Sequence, residues 1–203
     1  MRIDAHHSCS ERYPLDHLGS ILARNRFAGS ILVGAPAPAP DFVRGIIVPA
    51  DRFVSDPRIC GVQARRLADV ANAPPHLPLD LLDLLPQVGE IAARDPGRTL
   101  VIDHLGAPAT EAWPQLMEAA ARLPQVCCKL SGLMRFPDPR PYVRHALRLF
   151  GPRRLMFASD WPNALPEYTW KATLALFTQS IGAQTIETRE ELLGGTAARV
   201  YGI

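Results

Sequence analysis

Apolar residues along this chain gather in short continuous runs rather than in strict alternation. The runs at 2–6, 29–34, 44–48 and 59–63 are followed by others at 77–82, 99–105, 126–131 and 155–160. Turn residues separate them, and Pro78 makes 77–82 the weakest. Such runs suit strands covered on both faces, as in a parallel sheet. Between the later runs the spacing turns helical, and helices are predicted at 84–94, 111–123, 141–150, 166–181 and 187–201. Thr110 and Pro124 read as the start and stop of the second of these, Pro141 and Gly151 as those of the third.

The first half is poorer in helical pattern. Alternating Ala and Pro fill 35–40, and only short segments at 50–57 and 65–73 follow the third and fourth strands. Eight strands with helices between most of them predict an α/β fold: a compact (β/α)8 TIM barrel whose helices after strands 2–4 are shortened or missing. A doubly wound open sheet would want a glycine-rich nucleotide turn after a strand, and none occurs. No repeat or linker divides 1–203, so one barrel domain is expected.

With 47% hydrophobic residues in 203, the chain can bury a core of ordinary size. Its 22 basic and 20 acidic residues leave a net charge of +2, without the concentrated basic face of a nucleic-acid binder. No apolar run nears the ~20 residues a membrane span needs, and the N-terminus lacks a secretory apolar core. A cytoplasmic location is therefore expected. Cys9, Cys60, Cys127 and Cys128 show no Cys-x-x-Cys spacing and read as buried free thiols. The adjacent pair should point to opposite faces of its strand.

In a (β/α)8 barrel the chemistry sits at the C-terminal ends of the strands. Strand one ends in Asp4, His6, His7 and Ser8, and strand six in Asp103, His104 and Gly106. Strand seven ends in Lys129 and Ser131, and strand eight in Ser159, Asp160, Trp161 and Asn163. Strand alternation turns Asp103 away from His104, toward a structural hydrogen bond, and Asp4 should likewise accept from a neighbouring strand. Trp113 and Trp170 read as packing residues, and His17, His76 and His145 as surface or cap residues. Ser131 has no Gly-x-Ser-x-Gly elbow and is no nucleophile.

Four segments carry a resemblance. They are Ile-Asp-His-Leu-Gly at 102–106 with Pro108, Cys-Lys-Leu-Ser-Gly-Leu at 128–133, Phe-Gly-Pro-Arg-Arg-Leu-Met-Phe at 150–157, and Ser-Asp-Trp-Pro at 159–162. Together they resemble the amidohydrolase-2 family, above all its sugar-lactone and 2-pyrone-4,6-dicarboxylate lactonase branch. The resemblance implies a hydrolase acting on a small-molecule substrate, a lactone or related cyclic ester, by base-assisted water attack. His6, His104 and Asp160 match the family's site, with Asp160 as base and the histidines at the carbonyl. Asn163, Arg65, Lys129 and Trp161 are expected to bind substrate, whereas Arg66 reads as part of a solvated face.

Two departures qualify that reading. The family's first strand reads Asp-x-His-x-His, and Ser8 stands where the second histidine would be. The middle of the chain is also shorter than in the family. No cofactor is therefore expected; were one divalent ion bound, zinc or manganese, its ligands would be His6, His104 and Asp160. The alternative to a hydrolase is a cyclase, isomerase or decarboxylase reusing the pocket without metal, or a non-catalytic ligand-binding descendant. Finally, the apolar side chains at 31–33, 46–48 and 62 lack obvious covering helices, so a homodimer is expected, with the proline-rich 35–40 near the seam.

Overall fold

A computed structural model describes residues 1–34, 39–54, 56–108 and 110–203. The apolar runs become eight parallel strands in sequence order. They are β1 (Ile3–His7), β2 (Gly29–Val33), β3 (Val43–Pro49), β4 (Ile59–Ala64), β5 (Leu79–Leu81), β6 (Leu100–Ile102), β7 (Val126–Leu130) and β8 (Leu155–Phe157). β1 and β8 meet through a parallel bridge between His7 and Trp161, which closes the sheet into a barrel. At that seam the Ser8 amide donates to the Trp161 carbonyl at 2.7 Å and the Asp160 amide to the His6 carbonyl at 3.0 Å. The (β/α)8 expectation therefore holds.

Helices α1 (Leu15–Arg24), α2 (Leu67–Asn72), α3 (Val88–Arg94), α4 (Trp113–Ala121), α5 (Arg140–Phe150), α6 (Trp170–Ile181), α7 (Ile186–Glu190) and α8 (Thr196–Tyr201) surround it. After β2 and β3 only irregular chain and a single turn at Ala50–Arg52 intervene, among the described residues, and α2 after β4 has six residues. The sequence reading omitted α1, although Leu18 and Leu22 form its buried face beside Leu15 and Ile21. Thr110 does not cap α4 with its side chain; the helix starts after Ala112 with Pro114 in its first turn. The single helix expected at 187–201 is interrupted by a π-type segment, Glu191–Gly195. Gly194 lets that segment lie against β1, since a Cβ there would run into the Met1 carbonyl and stand 2.7 Å from the Ile3 amide nitrogen.

The barrel interior is filled by Ile3, Ala5, Ile31, Val33, Ile47, Val101, Cys127 and Met156, with Tyr201 of α8 among them. Cys128 belongs to the outer layer, so the adjacent cysteines do point opposite ways. Cys9 is exposed, which corrects the reading of all four thiols as buried.

The outward residues Leu32, Ile46, Val48 and Val62 are fully buried. They share one cluster with Leu18 and Leu22 of α1, Ala50 and Ala73, with Phe42, Leu67 and Val70 packed against it. The reason given for a homodimer is thereby overturned: α1 and the short segments cover the strands within one chain. Residues 35–38 of the supposed seam lie outside the described residues. Among the described residues no helix is long and apolar enough to cross a membrane.

Candidate active site

His6, His104 and Asp160 converge at the mouth of the barrel, each from a different strand end. One ligand atom from each lies within 4.8 Å of the others, and all three side chains are buried. The His6 and His104 ring centroids are 5.0 Å apart, and His6 Nε2 is 4.0 Å from Asp160 Oδ1. They line a cavity of about 280 Å³ with Ser8, Gln63, Arg65, Arg135 and Asn163.

Local backbone explains how these side chains reach one place. The β1–β2 register slips between Asp4 and His7, a bulge that breaks strict alternation around His6. β6 stops at Ile102, and His104 then adopts a left-handed conformation at φ 50. Asp160 is left-handed as well, at φ 57. The indole Nε1 of Trp113 donates to the Leu105 carbonyl at 2.7 Å and braces the first of these turns. Gly132, at φ +65, lies beneath the His104 ring, where a Cβ would sit 3.4 Å from the His104 Cβ.

Each candidate has defined partners. Ser131 Oγ lies 2.7 Å from His104 Nδ1 and engages that ring nitrogen. Burial, reinforced by the neighbouring His6, pulls the His104 pKa down to about 4 against the pull of Asp103 and Asp160. The ring is therefore neutral at pH 7. Asn163 Nδ2 donates to Asp160 Oδ1 at 2.9 Å and the Arg135 guanidinium to Oδ2 at 3.2 Å. Asp4 accepts from the Ser159 amide at 2.8 Å and from Trp170 Nε1 at 2.7 Å, the role expected of it.

Several expectations need correction. Lys129 does not reach the cavity; it is fully buried inside the barrel, ion-paired with Asp80 and 3.1 Å from Asp103 Oδ1. Asp103 does not turn away from the site but sits beneath it: it follows Val101 to the inner side of the barrel, and the left-handed turn at His104 swings that ring inward as well. Gln63 Nε2 donates to its Oδ2 at 2.8 Å. Burial opposes the Asp103 charge, but Lys129 and the two site histidines hold its carboxyl well below the usual carboxylate range. Trp161 is buried in the outer core against Tyr13 rather than in the cavity.

Arg65 and Asn163 do line the cavity, and Arg66 instead pairs with Asp69 at 2.9 Å on the exposed face. Sequence reading missed Arg135, Gln63 and Asp80. None ends a strand at a position with an obvious partner, and only the closed barrel brings them together.

The donor set fits one divalent ion. Two imidazoles, the His104 ring held neutral, and one carboxylate converge, as in catalytic sites with three protein ligands and an open position. The loss of a histidine at Ser8, on which the expectation of no metal rested, does not remove these three.

Two histidines and an aspartate converge at the C-terminal mouth of this (β/α)8 barrel, and the amidohydrolase family model matches residues 71–203. The chain belongs to that family. A Burkholderia multivorans L-fucono-1,5-lactonase is 36% identical over 142 residues, 59% of this chain and 48% of that protein. The match thus spans about half the length of that relative. An amidohydrolase from Burkholderia multivorans, solved with bound zinc, superposes with a TM-score of 0.81 at 23% identity, covering 100% of this chain and 99% of that one. A Pseudomonas putida protein provisionally assigned as a 2-pyrone-4,6-dicarboxylic acid hydrolase gives 0.76 at 22% identity, covering 99% and 97%.

Proposed function

We propose that this chain hydrolyses the lactone of a sugar acid or a similar cyclic ester. The observation that carries the reading is the convergence of His6, His104 and Asp160 in one cavity at the barrel mouth. The L-fucono-1,5-lactonase likeness supports the substrate class. In the proposed reaction Asp160, oriented by Asn163 and Arg135, takes a proton from water as the water oxygen bonds to the lactone carbonyl carbon. Neutral His104, donating from Nε2, stabilises the resulting oxyanion by hydrogen bonding, and His6 lines the same cavity beside Asp160. The ring C–O bond then breaks, the ring oxygen takes the proton back from Asp160, and an open-chain hydroxy acid leaves.

His6, His104 and Asp160 are also the residues that would hold a divalent ion, whose chemistry is to polarise a carbonyl and acidify water. Binding is checked by titrating zinc into chelator-treated protein. One equivalent is expected, lost in His104→Ala; failure of wild type to bind would contradict the fit. The reaction is checked by following acid release from L-fucono-1,5-lactone and a panel of other sugar-acid lactones. One proton per lactone opened is expected. Purified protein that opens none of them overturns the proposal.

A further inference from the structure

Beneath the site lies a charged cluster that the reaction does not consume. Lys129 is wholly buried between the carboxylates of Asp80 and Asp103. The Tyr201 hydroxyl donates to Asp80 at 2.8 Å, and the Lys129 ammonium sits 5.6 Å from the centre of the Tyr201 ring. Asp103 is the member nearest the cavity. Its Oδ2 is engaged by Gln63 and its Oδ1 faces Lys129, so the carboxylate is held on two sides. The same Oδ1 lies 3.7 Å from His6 Nδ1, and among the described residues that nitrogen is buried without a hydrogen-bond partner.

We propose that Asp103 is a positioning residue for His6, fixing the imidazole with its Nδ1–H directed at Asp103 Oδ1 and its Nε2 lone pair toward Asp160 and the cavity. With the opposite tautomer the Nδ1 lone pair would confront Asp103 Oδ1 at 3.7 Å, a closer carboxylate oxygen than the Asp160 Oδ1 that Nε2 meets at 4.0 Å. The carboxylate cannot swing away, because Gln63 and Lys129 grip it. A small closure turns 3.7 Å into a hydrogen bond, as happens when catalytic contacts tighten around a bound substrate. The hydrogen bond made by one ring nitrogen sets the state of the other. Lys129, Asp80 and Tyr201 then act on the site only through Asp103. The inference deepens the hydrolase reading and depends on it only for its kinetic arm.

The test is long-range proton–nitrogen NMR of protein labelled with 15N-histidine, before and after chelator treatment, with the His6 signals assigned by a His6→Gln variant. Wild-type His6 is expected as the Nδ1–H tautomer in both states. In chelator-treated Asp103→Ala it is expected to move toward the Nε2–H form that free histidine prefers. For L-fucono-1,5-lactone, Asp103→Ala should lower kcat about 10- to 100-fold while KM stays nearly unchanged. If the variant does not fold, the chelator-treated wild-type spectrum still decides: Nδ1–H supports the proposal and Nε2–H overturns it. An Asp103→Ala spectrum with the wild-type tautomer, or unchanged kcat, also overturns it. Wild type that shows the tautomer but opens no lactone would refute the hydrolase reading and leave the positioning role standing.

Discussion

His104 and Asp160 both hold left-handed backbone without being glycine. Such conformations cost about 1–3 kcal/mol each and persist where surroundings over-determine them. Here the surroundings are Trp113 on the Leu105 carbonyl and the β1–β8 seam on Asp160. The three central residues were legible as polar strand ends, but their neighbours were not. Alternation puts Asp103 and His104 on opposite sides of the strand, and nothing in the sequence announces the left-handed turn that brings His104 to the inner side beside Asp103. Lys129 misled in the same way, since a lysine near a strand end reads as a substrate anchor until Asp80 is placed opposite. Its importance is measurable. Lys129→Met leaves two buried carboxylates without their cation, and the loss should be about 3–5 kcal/mol by urea denaturation. A loss below about 1 kcal/mol would show that the cluster does not rely on this charge.

At the scale of elements, β1 combines two duties. It carries His6 to the cavity and buries His7 completely on the way. Burial, with His6 adding to it, depresses the His7 pKa from 6.5 to about 3. Between those values the unfolded chain binds the extra proton and the folded chain does not. The folded state is therefore fully favoured above pH 6.5 and loses that advantage as pH falls through the window. By pH 5 the loss is about 2 kcal/mol for an unfolded histidine of ordinary pKa. Urea midpoints at pH 7 and pH 5 should differ less in His7→Gln than in wild type; an equal difference would contradict this account. The strands were readable because each is a continuous apolar run. Helix α1 is missed despite its spaced leucines, and Gly194, within the segment that interrupts the final helix, acts through a close approach to Met1–Ile3 far away in sequence.

For the molecule as a whole, closure is what creates the site. β1 and β8 lie at opposite ends of the sequence, and joining them sets His6 beside Asp160. The barrel class could be read from eight runs in order, whereas the manner of covering its thin side could not. Coverage depends on α1, Phe42 and the α2 region wrapping strands that sequence alone left bare. Because Leu32, Ile46, Val48 and Val62 are already enclosed, light scattering of this chain at micromolar concentration should give a monomer mass of 22.3 kDa. A stable dimer mass would require an interface other than those strands.

The proposed role of Asp160 is that of the base in a hydrolytic site shared with His6 and His104. It is tested most directly by comparing kcat for L-fucono-1,5-lactone in wild type and Asp160→Asn, with circular dichroism confirming that both are folded. A fall of about 10²–10⁴-fold is expected. Near-wild-type turnover by the folded variant would contradict it.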